Sequence, residues 1–141
     1  MANECRTVID AGVAVSAVLL PKSVPRQAFD LATQRGRLLV SATTIAELND
    51  VLRRPKFNKY VTETERLEFL AALIEDAEVV AITETITDCR DPKDNKYLEL
   101  GVSGQGHYIV SGDADLLVLH PYRGIDIVSA QQFLGALSGK A

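Results

Sequence analysis

Four acidic residues stand at places where a chain begins or ends an element. Asp10 follows "RTVI", Glu47 lies in "ATTIAEL", Asp94 lies in "DPKDNKYLEL", and Asp113 follows "YIVSG". Asp115 comes two positions later. Carboxylate oxygen is the ligand that Mg2+ and Mn2+ prefer. A carboxylate cluster that holds one or two such ions can lower the pKa of a bound water and make it a nucleophile. Singly, each residue has a simpler role. Thr44 and Glu47 have the spacing of a capping box, in which Thr44 caps a helix and Glu47 reaches back to its amide. Asp91 followed by Pro92 suits an N-cap with a first-turn proline, which puts Asp94 in the first turn of that helix. Asp113 can cap the short "ADLLVL".

Jointly the caps would not be innocuous. In a parallel sheet, the helix after each strand starts at the same edge, so the carboxylates crowd together. Two unit charges ~5 Å apart repel by ~3 kcal/mol at an effective dielectric of ~20. Four of them require a cation, protonation or dispersal, and a divalent metal is the simplest of the three.

The elements that would bring them together are legible from periodicity. Residues 6–9, 37–41, 78–82, 108–111 and 125–128 form short β-branched runs and read as five strands. Amphipathic stretches lie between them. One starts at Pro25 and carries Phe29, Leu31 and Ala32. A second follows Thr44 and stops before Pro55. Others carry Leu67, Leu70, Ala71 and Ile74; Tyr97 and Leu98; and Phe133, Leu134 and Leu137. This alternation is that of an α/β domain with a mainly parallel, five-stranded sheet, helices on both faces and right-handed crossovers. Ligands of such sheets bind outside the carboxyl ends of the strands, where Asp10 and Asp113 fall.

The chain has 141 residues, 47% hydrophobic and 24% charged, with a net charge of −4. That suits one globular domain, taken as residues 1–141 with a core of about 6–137. No apolar run approaches the ~20 residues of a membrane span, and no leader is visible at the N-terminus. Cys5 and Cys89 form no CxxC pair and read as reduced thiols of a cytoplasmic protein. The acidic balance excludes a broad basic nucleic-acid surface but not a local one. Arg53, Arg54, Lys56 and Lys59 in "RRPKFNK" supply one. They read either as a solvated helix end or as a phosphate-contacting patch. Phe57 and Tyr60 beside them are packing residues or base-stacking ones. There is no phosphate-cradling GxGxxG or GxxxxGK[ST]. "SGQGHY" reads as a helix C-cap and turn. His107 and His120 have no partner at metal-ligand spacing, and no serine sits in a nucleophile elbow.

Four segments, "VIDAGVAVSAVL", "LVSATTIAELNDVLRRPKF", "CRDPKDNKYLELG" and "YIVSGDADLL", together with the closing "GIDIVSAQQFL", resemble the PIN-domain ribonucleases. The resemblance is to the branch of toxins from toxin–antitoxin systems. It implies a Mg2+- or Mn2+-dependent endonuclease acting on single-stranded RNA, with a cognate antitoxin protein as partner and a possible homodimer. It places the acidic site on Asp10, Glu47, Asp94 and Asp113, with Asp115 assisting. Asp91 competes for the role of Asp94 but is favoured as the N-cap. Ser111 would help to orient a ligand or substrate. Two departures stand out. Ala11-Gly12 replaces the family's Thr-Asn after the first Asp, removing groups that would hold that Asp; such losses weaken metal sites by ~10–100-fold. Gly101 and Ser103 replace alanines, which would shorten their helix. Ala11-Gly12 favours a second reading, an inactive PIN-like module that binds RNA or a protein. A third, a phosphoacceptor or small-ligand domain using Asp10, lacks a lysine at the end of the fifth strand and leaves Glu47 and Asp94 without a role.

Overall fold

Hydrogen bonding between five parallel strands organises the chain. In the computed structural model, which describes residues 4–138, these are β1 (Cys5–Ile9), β2 (Gly36–Val40), β3 (Glu78–Val79), β4 (Tyr108–Val110) and β5 (Asp126–Val128). Their order is β3-β2-β1-β4-β5. The first three and last three residues of the expected 1–141 domain lie outside the described residues. The helices are α1 (Ala11–Leu19), α2 (Val24–Arg35), α3 (Ala42–Leu52), α4 (Glu63–Asp76), α5 (Asn95–Ser103), α6 (Ala114–Leu117) and α7 (Ala130–Ser138). Two 3-10 turns, Pro55–Phe57 and Pro92–Asp94, precede α4 and α5.

Successive strand side chains point to opposite faces, and both faces are covered. Leu38, Val40 and Val110 pack under residues of α1, α2, α3, α4 and α7. Val8, Leu39, Ile109 and Ile127 pack on the other side with Leu98 and Leu100 of α5 and Leu116 of α6. A sheet buried on both faces needs continuous apolar strands, which accounts for the short unbroken runs in the sequence. Among the described residues no helix is long and apolar enough to cross a membrane.

Chain order reverses at β1: β2 and β3 lie on one side of it, β4 and β5 on the other. The carboxyl ends of β1 and β4 are therefore neighbours, with Ile9 opposite Val110 and the Asp10 N–H donating to the Val110 carbonyl at 3.1 Å. Connections leave this pair in opposite directions and open a crevice, the usual ligand position in such folds.

Several local expectations are corrected. α1 has no apolar period because Val13, Ala14, Val15, Ala17 and Val18 bury it nearly all round, so periodicity alone does not reveal it. Thr44 does not cap α3. Ser41 does, and Thr44 is the third helical residue, its hydroxyl returning to the Ser41 N–H at 2.9 Å. Glu47 is thereby freed from capping. β3 stops at Val79 rather than Ile82, because its only neighbour, β2, turns into α3 after Val40 and leaves nothing to pair with. α5 runs through Gly101 to Ser103. A Cβ at Gly101 would sit 3.2 Å from the Cδ1 atoms of both Ile109 and Ile125, so the glycine serves close helix–sheet packing and does not end the helix. Gly104 is the C-cap, as "SGQGHY" implied.

Candidate active site at the sheet switch point

Each of the four carboxylates reaches the crevice from a different segment. Asp10 is the N-cap of α1, and its Oδ1 accepts from the Val13 N–H at 2.8 Å. Asp113 is the N-cap of α6, with Oδ1 accepting from the Asp115 N–H at 2.9 Å. Asp94 closes the 3-10 turn that Asp91 caps and leads into α5. Glu47 comes from the second turn of α3. All four line one open crevice of about 490 Å³, together with Gly12, Ser16, Tyr97, Ser111, Ser129 and Ala130. Asp91 and Asp115 are not among its lining residues. The caps are real, and they crowd charge at one edge as well.

Ser111 links two of the acids. Fully buried, it receives the Asp113 N–H on Oγ at 3.0 Å and donates its hydroxyl to Asp10 Oδ2. This bond and the Val13 N–H hold Asp10 without help from residues 11 and 12. Ser111 thus orients the Asp10 carboxylate and fixes the backbone of Asp113. Gly12 leaves room beside Asp10, since a Cβ there would stand 3.7 Å from Oδ1.

The electrostatics follow from the crowding. Burial raises the Asp10 carboxyl above its usual range; the Ser111 and Val13 bonds oppose this, while the charges of Asp113 and Glu47 add to it. Asp94 is pushed up to about 7 by burial first, then by its neighbour Asp113 and the charges of Asp91 and Asp10. Its Oδ2 is buried without a hydrogen-bond partner.

A sign follows for stability. Between its ordinary value near 3.8 and about 7, Asp94 stays protonated in the folded chain but is ionised in the unfolded one. The folded state then binds more protons, so stability falls as pH rises through that window. Without metal, the melting temperature is expected to be lower at pH 8 than at pH 5. Asp94→Asn should flatten the dependence and raise the pH 8 value by ~3–5 °C, the shift that ~1 kcal/mol makes at this size. Scanning calorimetry of both proteins across that range decides it, and a flat wild-type profile would count against the crowding.

Two residues not singled out from the sequence complete the site. The Tyr97 hydroxyl donates to Glu47 Oε1 and accepts from the Ala11 N–H at 3.1 Å. Lys96 Nζ lies 3.4 Å from the same Oε1. Nothing in the local sequence signals these contacts, because Glu47 and Tyr97 are separated by 50 positions. The expected basic patch is elsewhere. Arg53, Arg54 and Lys56 are exposed and absent from the crevice lining. Arg53 lies six residues, about 9 Å of helix rise, beyond Glu47. Arg54 is paired with Asp50 at 3.6 Å.

The donor set fits a hard divalent cation: carboxylate oxygens only, one of them buried without a partner. As the side chains lie, however, no three His, Cys, Asp or Glu among the described residues stand close enough to hold one ion. The expected cluster is gathered but not converged. Asp10 is instead held by Ser111 and the α1 amide, and Glu47 by Tyr97 and Lys96.

Comparison with known proteins agrees with this architecture. Residues 6–115 match the PIN domain. The uncharacterized protein MJ1680 of Methanocaldococcus jannaschii is 28% identical over 116 residues, covering 81% of this chain and 74% of that protein. PAE2754 from Pyrobaculum aerophilum superposes with a TM-score of 0.62 at 15% identity, covering 96% of this chain and 91% of the other. DNA-bound VapBC from Salmonella typhimurium gives 0.59 at 16% identity, covering 89% and 98%. VapBC2 from Rickettsia felis, bound to a promoter DNA fragment, gives 0.57 at 10% identity, covering 86% and 96%.

Proposed function

Because this chain belongs to the PIN domain family, we propose that it is a metal-dependent endoribonuclease and the toxin of a toxin–antitoxin pair. The observation that carries the reading is that Asp10, Glu47, Asp94 and Asp113, from four separate segments, all line one crevice at the switch point. These four would hold Mg2+ or Mn2+. When bound, the ion supplies Lewis-acid activation of water and neutralises charge on the phosphate. Ser111 and the α1 amide keep Asp10 oriented, and no side chain need act as nucleophile. Asp115, outside the crevice, is left out of the ligand set. Arg53 and Lys56, exposed beyond α3, would contact the RNA backbone and contribute little sequence reading. A cognate antitoxin, a homodimeric assembly and a cytoplasmic location complete the proposal; the VapBC structures among its fold relatives support the first.

The test is incubation of the purified chain with unstructured and structured RNA, with and without Mn2+. Metal-dependent cutting of the unstructured RNA is expected. A second reading, an inactive PIN-like module that binds RNA or a protein, draws on the unconverged carboxylates and on Ala11-Gly12. It requires that millimolar Mn2+ neither permit cutting nor raise the melting temperature.

A further inference from the structure

Glu47 is gripped by one oxygen. Oε1 takes the Tyr97 hydroxyl and faces Lys96 Nζ, whereas among the described residues no hydrogen bond reaches Oε2. Tyr97 is 3% exposed, and its hydroxyl is fixed at its other end by the Ala11 N–H, the amide next to Asp10. The Lys96 side chain is 16% exposed, with Nζ also donating to the Lys93 carbonyl at 2.5 Å and lying 5.5 Å from the Tyr97 ring centroid. Both donors are therefore held by contacts of their own rather than by Glu47 alone. Swinging Oε1 into the crevice would strand a buried phenol proton and separate an ammonium from its counter-charge. Oε2 is the oxygen that can be given up without such a loss.

That asymmetry bears on cation choice. Ca2+ takes six to eight oxygens and accepts carboxylates two oxygens at a time, whereas Mg2+ demands near-ideal octahedral geometry with fewer protein ligands. Resting on the metal-dependent reading above, we propose that Tyr97 and Lys96 are positioning residues that keep Glu47 a one-oxygen ligand and so make the crevice discriminate Mg2+ and Mn2+ from Ca2+. Neither touches substrate; both act through Glu47.

The experiment measures Mn2+ binding by electron paramagnetic resonance, with Mg2+ and Ca2+ as competitors and no RNA present. It uses wild type, Tyr97→Phe and Lys96→Met. The wild type should prefer Mg2+ to Ca2+. In the variants that preference should fall ~10-fold, the scale of losing a hydrogen-bond partner of a metal ligand. A general loosening of the fold would weaken all three ions alike and leave the ratio unmoved. Ratios within ~2-fold of wild type in the folded variants would overturn the proposal, being well below that scale. If Tyr97→Phe fails to fold, Lys96→Met decides alone, since its ammonium can be removed without opening the buried phenol site. A wild type that binds none of the three ions defeats the metal-dependent reading and this proposal together. One that binds Mn2+, with unchanged ratios in the variants, defeats this proposal alone.

Discussion

Asp10→Asn is expected to abolish Mn2+-dependent cutting of single-stranded RNA, with a loss well beyond the ~10–100-fold that follows removal of a metal ligand's supporting partner. The substitution isolates charge from architecture. Asn is as good an N-cap as Asp, so the bond from the Val13 N–H that starts α1 is kept. What disappears is one of the negative charges with which the crevice would hold the proposed cation. Asp113→Asn makes the same separation at α6, where the Asp115 N–H retains its acceptor. Both variants should fold, and both should melt no lower than wild type without metal, because each removes a charge that raises the neighbouring carboxyls. Single-turnover cleavage of a labelled RNA, read beside the melting temperature, checks both halves. Variants that cut at the wild-type rate would place the activity outside this crevice.

The largest stability effect is expected far from the carboxylates. Arg66, on α4, is fully buried, and among the described residues no carboxylate pairs with it. Its guanidinium donates instead to the Leu52 carbonyl at 2.6 Å, the Val61 carbonyl at 2.5 Å, the Arg54 carbonyl at 3.4 Å and Asn58 Oδ1 at 3.1 Å. One planar, always-charged group thus ties the end of α3 to the turn that carries Arg53, Arg54, Lys56 and Lys59. Arg66→Met keeps most of the volume but leaves several acceptors stranded, each costing ~1–3 kcal/mol when buried. A total near ~3–4 kcal/mol would lower the melting temperature by ~10–15 °C. Arg66→Lys keeps the charge but cannot span all four acceptors, and should recover less than half of the loss. Calorimetry of the two variants decides it. An Arg66→Met protein as stable as wild type would mean that water replaces the guanidinium without cost. If the basic turn holds the RNA backbone, Arg66→Met should also weaken RNA binding at a temperature where the rest of the chain stays folded.

The two cases differ in how visible they are before folding. Asp10 and Asp113 can be found from a β-branched run that ends in an acid, because a parallel sheet starts every following helix at one edge. Arg66 cannot, since the groups that give it meaning lie five to fourteen positions back. The same distinction explains Thr44. Its hydroxyl and the spacing to Glu47 suit a cap, but Ser41 ends β2 and takes the role first. That change places Glu47 a turn deeper in α3, where Tyr97 and Lys96 can reach it.

What the sequence determined by itself was therefore the class of fold, the edge of the sheet that collects carboxylates, and three of the caps there: Asp10, Asp91 and Asp113. Local rules decide these, since alternation, capping and chain direction need only a few neighbouring residues. Tertiary structure alone decided that Glu47 is held by one oxygen, that Ser111 bridges two acids, that Asp115 and the basic turn stay outside the crevice, and that β3 is short. Those outcomes depend on groups tens of residues apart meeting within hydrogen-bond distance, where burial makes an unpaired partner costly, and no local pattern records such a meeting.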